Sequence, residues 1–208
     1  MTELGLFPLP LVLFPTERIP LHIFEPRYRE LIDECVETGS EFGLALATGD
    51  GAVHEIGTRA KVIDVLEVLE DGRMNIVVEG QERFRLLELT SGRSFTTGRV
   101  EPVADDDDPA NPADVDRAGS LFGELAALAE SDVDRPDPAS PSFDWELAAR
   151  VDLGVDAEQE LLALQSPRAR MARLAELLTI ALESLQVEQA LRERASRNGK
   201  VSPLDPEQ

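Results

Sequence analysis

Short apolar runs that end at proline or glycine fill the first hundred residues of the chain. Runs of this length, rich in Val, Ile, Leu and Phe, predict strands, because proline and glycine interrupt a ladder at the ends of each run. The predicted strands are residues 9–14, 19–24, 41–47, 60–69, 74–78, 82–89 and 94–101. So many short strands favour a small, partly closed barrel, because closure leaves few bare edges.

One pair of strands can be placed in register. Residues 60–69 and 74–78 are separated by four residues with Asp-Gly at their centre, and Asp-Gly favours a two-residue hairpin turn. A two-residue turn at this point places Val65 opposite Val78. The sequence therefore predicts a hairpin with a fixed pairing of apolar side chains.

A single helix is predicted between the second and third strands. Pro26 suits the first turn of a helix, and Gly39 supplies a stop. The helix carries one apolar stripe at helical spacing, formed by Tyr28, Leu31, Ile32 and Cys35. We expect this stripe to cover one opening of the barrel.

An acidic, proline-rich segment over residues 102–112 separates two kinds of pattern. Its four adjacent aspartates repel one another and its three prolines block regular structure, so it cannot pack a core of its own. We therefore predict a β-rich domain over residues 1–101, a linker over 102–112, a helical domain over 113–198 and a disordered tail over 199–208.

Beyond the linker the apolar period is helical. The predicted helices are residues 112–130, 142–153, 156–164 and 167–197. Asp156 followed by Gln159 predicts a capping box at the start of the third helix. The last helix carries a long apolar stripe that predicts the core of a bundle, with a coiled-coil partner site as the alternative. The fold class expected from the whole pattern is α+β.

Composition narrows the choice of partners and compartment. The formal net charge is −21, and residues 101–160 contribute 3 basic and 18 acidic side chains to it. Binding to nucleic acid or to anionic lipid depends on Lys and Arg, so we expect neither partner. A lone cysteine excludes an internal disulfide framework, and no apolar stretch is long enough to cross a membrane, which predicts a soluble, cytoplasmic protein.

The motifs of common catalytic sites are missing from the sequence. The Gly-Lys dipeptide at residues 199–200 lacks the remaining residues of a phosphate-binding loop. One cysteine and two histidines, His22 and His54, cannot form a zinc tetrad without carboxylates, and neither histidine lies beside a nucleophile motif. We therefore expect no catalytic residue, no cofactor, no metal and no enzymatic activity.

Several blocks of sequence resemble the Lon protease N-terminal substrate-binding domain family, in its stand-alone bacterial form. The blocks are LPLVLFP at 9–15, IPLHIFEPRYR at 19–29, FGLAL at 42–46, DGRMNI at 71–76 and LGVDAEQELL at 153–162. The resemblance implies a PUA-like β pseudo-barrel with one capping helix, followed by an α-helical bundle. It also implies capture of unfolded or tagged polypeptides. We expect the motor and peptidase of Lon to be absent.

The first two blocks and the residue after them also supply candidate residues for peptide contact. Prolines at 15, 20 and 26 leave an irregular sheet edge, which can accept an extended peptide by strand addition. The side chains proposed for this contact are Phe14, Phe24, Arg27, Tyr28, Arg29 and Glu30. For the two phenylalanines the alternative is that they fill the barrel. The side chains of residues 27–30 cannot all face inward, because these residues are consecutive on a helix.

Three functions are compatible with these observations. The first is a non-catalytic polypeptide-binding module with an adaptor or quality-control role, which serves a protease or ATPase partner. The second is a structural protein that assembles through its C-terminal helix, as a homo-oligomer or on a partner. A hydrolase is the third, and the missing motifs disfavour it.

Overall fold

The computed structural model describes residues 2–49 and 52–198, so the tail predicted at 199–208 lies outside the described residues. The strands are β1 (Thr2–Leu9), β2 (Arg18–Ile23), β3 (Phe42–Leu46), β4 (Ile56–Val68), β5 (Met74–Thr90) and β6 (Thr97–Pro102). The helices are α1 (Pro26–Thr38), α2 (Pro112–Leu128), α3 (Phe143–Ala148), α4 (Val155–Ala163) and α5 (Pro167–Asn198). The predicted α+β content is confirmed.

The six strands form one sheet that closes on itself. Its order is β2-β5-β4-β3-β1-β6, and β6 also pairs with the second half of β5. Only the β1–β3 pair is parallel among the pairings of the described strands. β2 pairs with the first half of β5 and lies outside the closed ring, which leaves it as an edge strand.

The strand predicted at residues 9–14 is wrong, because β1 lies one strand length earlier in the chain. Residues 11–14 leave the sheet, and their apolar character comes from burial between the two halves of the molecule. Leu13 packs in the barrel core, whereas Val12 and Phe14 pack in a cluster with α2, α3 and α5.

The two strands predicted at 74–78 and 82–89 are one continuous strand, β5. The glycine that separates them in the sequence, Gly80, marks a close approach of the backbone. A Cβ atom at this position would lie 2.0 Å from the carbonyl oxygen of Phe14. The backbone of Gly80 also accepts from Thr16 N and donates to Glu17 O, both at 2.8 Å, and these bonds hold Thr16 at a left-handed φ of 68°.

The hairpin between β4 and β5 forms where predicted, but the predicted register is wrong. Gly72 N donates to Leu69 O at 2.8 Å and Gly72 has a φ of 81°, the geometry of a three-residue loop with glycine in the left-handed position. Two bulges then shift β4 further, so that Val62 rather than Val65 lies opposite Val78. The bulges insert Ile63 and Leu66, which have no partner on β5.

Helix α1 matches its prediction closely. It begins at Pro26 and ends before Gly39, whose φ of 69° is a left-handed C-cap. Its buried residues are Tyr28, Leu31, Ile32 and Cys35, the four of the predicted stripe.

The helices after the acidic segment agree with the sequence in number but differ in detail. α2 and α5 begin at the predicted prolines, and Asn111 caps α2 by accepting from Ala113 N at 3.1 Å. α3 ends at Ala148, five residues before the predicted end, because tight turns at residues 149–151 follow it. The capping box at Asp156 is wrong, since Gly154 is the N-cap of α4 and no side chain caps it.

The side chain of Gln159, which the capping box would have used, joins the two halves instead. Its Nε2 donates to the carbonyl of Ile56 on β4 at 3.0 Å, and both groups are buried. The largest apolar cluster likewise includes Val12, Phe14, Leu46 and Ile56 together with residues of α2 to α5. The sheet and helices α2 to α5 therefore share this cluster, while the barrel interior under α1 forms a cluster of its own.

Candidate polypeptide-binding surface

Two of the six candidate contact residues are buried. Phe14 lies 5.7 Å from the ring of Trp145, centroid to centroid, and fills the shared core. Tyr28 packs 4.1 Å from the ring of Phe7, and its burial raises the pKa of its hydroxyl. Neither side chain has surface that a peptide could reach, so both leave the set of candidates.

The other four candidates lie on the surface around the start of α1. Phe24 is 60 % exposed and stacks 6.0 Å from the ring of His22. Arg27 pairs with Glu25 at 2.8 Å and lies over the Tyr28 ring. The Nη1 atom of Arg29 donates to the Asp71 carbonyl at 2.5 Å.

The candidate Glu30 has a different neighbour from these three. Its carboxylate accepts from the hydroxyl of Ser94 at 2.5 Å, in the loop before β6. Arg29 and Glu30 thus join α1 to two separate loops. Phe24 is the accessible apolar side chain among the six candidates.

The tip of the hairpin lies beside these residues. His22 Nδ1 and Asn75 Oδ1 are 2.7 Å apart, and Asn75 Nδ2 donates to Glu67 Oε2 at 3.0 Å. This polar row crosses the ends of β2, β5 and β4. The register Ile23–Met74–Val68 forms the next row, in which Ile23 and Met74 are buried but Val68 is 62 % exposed.

Four apolar residues of β4 near the hairpin tip are exposed, and they form what we call the β4 apolar strip: Ile63, Val65, Leu66 and Val68. The strip is the feature that sequence reasoning missed, since Val65 was expected to lie opposite Val78 in a pair of apolar side chains. Residues 61–68, KVIDVLEV, place apolar residues side by side twice, at 62–63 and 65–66. Strict alternation is broken at the two bulges, and this break was the available signal.

A cleft runs between the strip and helix α1. It has a volume of about 240 Å³. One wall consists of residues 35 and 36 of α1 and residues 39 and 40 just after it, and the other consists of residues 61–65 of β4. A second opening, of about 530 Å³, lies on the other side of α1 and reaches Gly72 at the hairpin turn. Its lining is acidic, with Glu30, Asp33, Glu34 and Glu37 against Arg29.

Two buried arginines and their carboxylate partners lie between the sheet and the helices. Arg83 of β5 and Arg170 of α5 are 4 % and 2 % exposed, and both contact Asp105 of the acidic segment. Asp144 of α3 pairs with Arg170 at 2.5 Å, and the guanidinium of Arg170 stacks 3.8 Å from the Trp145 ring. We call these five residues the buried ion-pair cluster.

The cluster explains how two buried arginines remain charged. Burial lowers the pKa of Arg83, while Asp105 opposes the shift. Burial acts in the same direction on Arg170, but the hydrogen bonds that Arg170 donates to Asp105 and the charge of Asp144 outweigh it and raise the pKa of Arg170. The backbone carbonyls of Leu162 and Leu164 accept further hydrogen bonds from Arg83, at 2.8 and 2.7 Å. The cluster is thus a satisfied structural contact, and no local pattern in the sequence indicated it.

The remaining titratable groups form no metal site. Within residues 2–49 and 52–198, no group of three or more His, Cys, Asp or Glu side chains is placed to hold a metal ion. The thiol of Cys35 is buried under α1, and burial raises its pKa. In the described part of the chain no helix is both long and apolar enough to cross a membrane.

A closed β-sheet packed on helices defines a mixed α+β domain. The chain belongs to the family of the ATP-dependent protease La (Lon) substrate-binding domain, whose model matches residues 3–179. The match covers this domain and does not extend to the ATPase or protease domains of Lon.

Curated relatives and solved structures agree with the family. Lon protease of Solibacter usitatus (strain Ellin6076) is 26% identical over 157 residues, 70% of this chain and 19% of that protein. Lon protease 1 of Hydrogenovibrio crunogenus (strain DSM 25203 / XCL-2) is 24% identical over 204 residues, 89% of this chain and 24% of that protein. The chain thus spans about a quarter or less of these relatives.

The structural matches are more complete. A Lon N-terminal domain protein from Xanthomonas campestris is 31% identical, with a TM-score of 0.66 over 84% of this chain and 97% of that chain. The N-terminal domain of Mycobacterium avium complex Lon protease has a TM-score of 0.65 over 86% of this chain and 98% of that chain, at 17% identity. The second match supports the fold alone.

Proposed function

We propose that the chain is a non-catalytic polypeptide-binding module that acts as an adaptor or in protein quality control in the cytoplasm. It would hold unfolded or tagged polypeptides for a protease or ATPase partner. The β4 apolar strip is the observation that carries the proposal, because apolar side chains grouped on a monomer surface mark interaction sites. We further propose that residues 1–101 form a PUA-like pseudo-barrel, that 113–198 form a helical bundle and that 102–112 connect them.

Phe24 and Arg29 fit this proposal as the border of the strip, because Phe24 directly follows the Ile23–Met74 pair and Arg29 donates to Asp71 in the hairpin turn. Arg27, which pairs with Glu25, and Glu30, which accepts from Ser94 before β6, would be further contacts around the start of α1. A border of charged groups around an apolar centre is the usual composition of a protein interface. Weak affinity is expected, because an unfolded segment loses conformational entropy when it binds.

Titration of the full chain with a permanently unfolded protein tests the proposal. We would use reduced, carboxymethylated α-lactalbumin carrying a fluorophore, with native α-lactalbumin as the comparison. Anisotropy should rise with the unfolded form and stay flat with the native form. No rise at concentrations up to about 1 mM, where a Kd in the millimolar range is detected, would contradict the proposal.

A pair of matched variants assigns the binding to the strip. Leu66 is 56 % exposed and Leu89, at the far end of β5, is 57 % exposed, so their replacement by serine removes the same side chain at equal accessibility. Leu66→Ser should weaken binding several-fold, while Leu89→Ser should leave it unchanged. Equal effects of the two variants would remove the strip from the binding site.

A second candidate function is assembly through α5. Ile180, Val187 and Leu191 are exposed on this helix, and their spacings of seven and four residues place them on one face. A second copy of the helix would cover this face as a coiled coil. Light scattering on the full chain should then give a dimer that Val187→Ser dissociates, and a monomeric wild-type chain would exclude this role.

A further inference from the structure

We infer that the outer edge of β4, over residues 61–68, binds a short extended segment of another polypeptide by strand addition, and that this segment carries basic as well as apolar side chains. The inference rests on the proposed function and specifies how and what the module binds.

The outer edge of β4 loses its neighbour halfway along the strand. β3 pairs with β4 from Leu44↔Thr58 to Phe42↔Ala60, whereas β5 pairs with β4 as far as Val68↔Met74. Among the described residues, positions 61–68 therefore have a strand on one side alone. The backbone N–H and C=O groups that point outward from this edge form a row of donors and acceptors, which an extended polypeptide can match along its length.

The two free edges of this part of the sheet are protected differently. The β2 edge contains Pro20, which has no N–H to offer, and its exposed side chains include Arg18 and His22. Such residues keep other strands away from an edge. The β4 edge over residues 61–68 contains no proline and so keeps every backbone N–H, and its exposed side chains are the four apolar residues of the β4 apolar strip together with the charged Lys61, Asp64 and Glu67. β4 is thus the edge open to a partner strand.

The two bulges of β4 limit the length of the partner strand. Bulges increase local twist, so a long flat strand cannot follow the whole edge. Bulges help to protect an edge from pairing, but the residues inserted here, Ile63 and Leu66, are apolar rather than charged and add to the β4 apolar strip. A segment of about four to six residues fits this geometry, since typical strands have this length.

The cleft beside the edge can take side chains of the bound segment. Val36 of α1 is exposed on one wall of this 240 Å³ space, and Ile63 and Val65 stand on the other. In a strand, side chains alternate between two faces, so every second residue of the segment would enter the cleft. These residues are expected to be of the size of valine or leucine.

Charge selects the remaining side chains. The opening next to α1 and Gly72 is lined by four carboxylates, of which Glu34 pairs with Arg93 and Glu30 accepts from Ser94. Asp33 and Glu37 form no salt bridge within the described ranges, and both are exposed. A segment that runs along β4 toward the hairpin turn reaches this opening, where Lys or Arg would be attracted.

Backbone-modified peptides test strand addition with the unaltered full chain. The probe is an unstructured peptide of alternating valine and lysine, compared with one of alternating valine and glutamate. Two further probes carry N-methyl groups on the valines or on the lysines, which removes the N–H donors of one edge at a time. We expect the lysine peptide to bind at least about tenfold more tightly than the glutamate peptide.

The methylated peptides separate pairing from simple apolar contact. One of them should lose binding by at least about tenfold and the other should retain it, because β4 can pair with one edge of the segment at a time. Equal retention or equal loss by both would overturn strand addition. Backbone amide resonances of residues 61–68 should shift on binding, and shifts confined to other strands would overturn the assignment to β4.

Matched charge variants test the acidic opening. The double variant Asp33→Asn, Glu37→Gln should weaken binding of the lysine peptide. The control is the double variant Asp132→Asn, Asp134→Asn, which removes two negative charges from an exposed loop and should leave binding of the lysine peptide unchanged. Equal weakening by both variants would overturn the local role of Asp33 and Glu37.

If the edge pairs instead with a second copy of this chain, the mass of the protein in solution doubles without peptide, and the inference fails.

The outcomes also separate this inference from the proposed function. Binding of unfolded α-lactalbumin together with equal behaviour of the methylated peptides would leave the module a polypeptide binder without strand addition. Absence of binding to every unfolded probe would refute both.

Discussion

Asp105 accepts two parallel hydrogen bonds from the guanidinium of Arg170, from Nη1 to Oδ1 at 2.9 Å and from Nη2 to Oδ2 at 2.7 Å. The same carboxylate contacts Arg83 of β5. One side chain of the acidic segment therefore connects the sheet to the longest helix. Because both arginines are buried, the connection depends on this single negative charge together with Asp144.

Asp105→Asn should destabilise the fold by about 2–4 kcal/mol, because it leaves the buried Arg83 without a carboxylate and Arg170 with Asp144 alone; the partial exposure of Asp105 keeps the loss below that of a fully buried pair. Thermal or denaturant unfolding measures the change. Asp107→Asn is the control, since it removes the same charge from an exposed neighbour in the segment and should cost less than about 0.5 kcal/mol. Equal stability of the two variants would show that the contact with Arg170 is unimportant.

Gly80→Ala should destabilise the chain by more than about 2 kcal/mol, because the new methyl group would lie 2.0 Å from the backbone oxygen of Phe14. The backbone of residues 14–17 has to move away, and two hydrogen bonds to Gly80 are lost with it. Gly49→Ala is the matched control, because its new methyl group would meet no atom within 4 Å. A wild-type midpoint of denaturation for Gly80→Ala would contradict this packing.

Glu17→Gln should stabilise the fold at neutral pH. Burial raises the pKa of Glu17 above its ordinary value of 4.5; the hydrogen bond from Phe14 N opposes this, and Glu158 adds to it. The folded state therefore holds the proton more strongly than the unfolded state, and the ionised form at pH 7 lowers stability. The cost disappears as the pH falls through the raised pKa, so the gain from glutamine should shrink toward pH 4.5.

Unfolding curves at several pH values measure the effect of Glu17→Gln. The exposed turn residue Glu70 supplies the control, since Glu70→Gln makes the same charge change and should stay within about 0.5 kcal/mol of wild type. A stability gain for Glu17→Gln that grows as the pH is lowered would have the wrong sign.

The thiol of Cys35 should react slowly with a disulfide reagent in the native protein. It is 4 % exposed, and burial raises its pKa, so the reactive thiolate is both scarce and shielded. We expect the rate at pH 8 to rise by at least about a hundredfold in denaturant, where one equivalent reacts. Rapid labelling of the native chain would show that α1 opens readily from the sheet.

Local patterns in the sequence were sufficient for much of the fold. The stripe of α1 and its glycine stop, the proline starts of α2 and α5 and the position of the β4–β5 hairpin all follow from chemistry within a few residues. The blocks from LPLVLFP to LGVDAEQELL likewise identified the family, because an ordered series of motifs is hard to match by chance. Of the candidate contact residues, Phe24, Arg27 and Glu30 are accessible and Arg29 is partly buried.

The tertiary structure decided which apolar residues are buried and which charges meet. Phe14 and Tyr28 are covered by Trp145 and Phe7, and Val65 lies opposite Ile76 because the three-residue turn and the bulge at Leu66 shift the register between β4 and β5. Asp105 and Arg170 are 65 residues apart in the chain and come together because the sheet and α5 share one core. Periodicity reports the neighbours of a residue along its own element, whereas burial and ion pairing depend on elements that are distant in sequence.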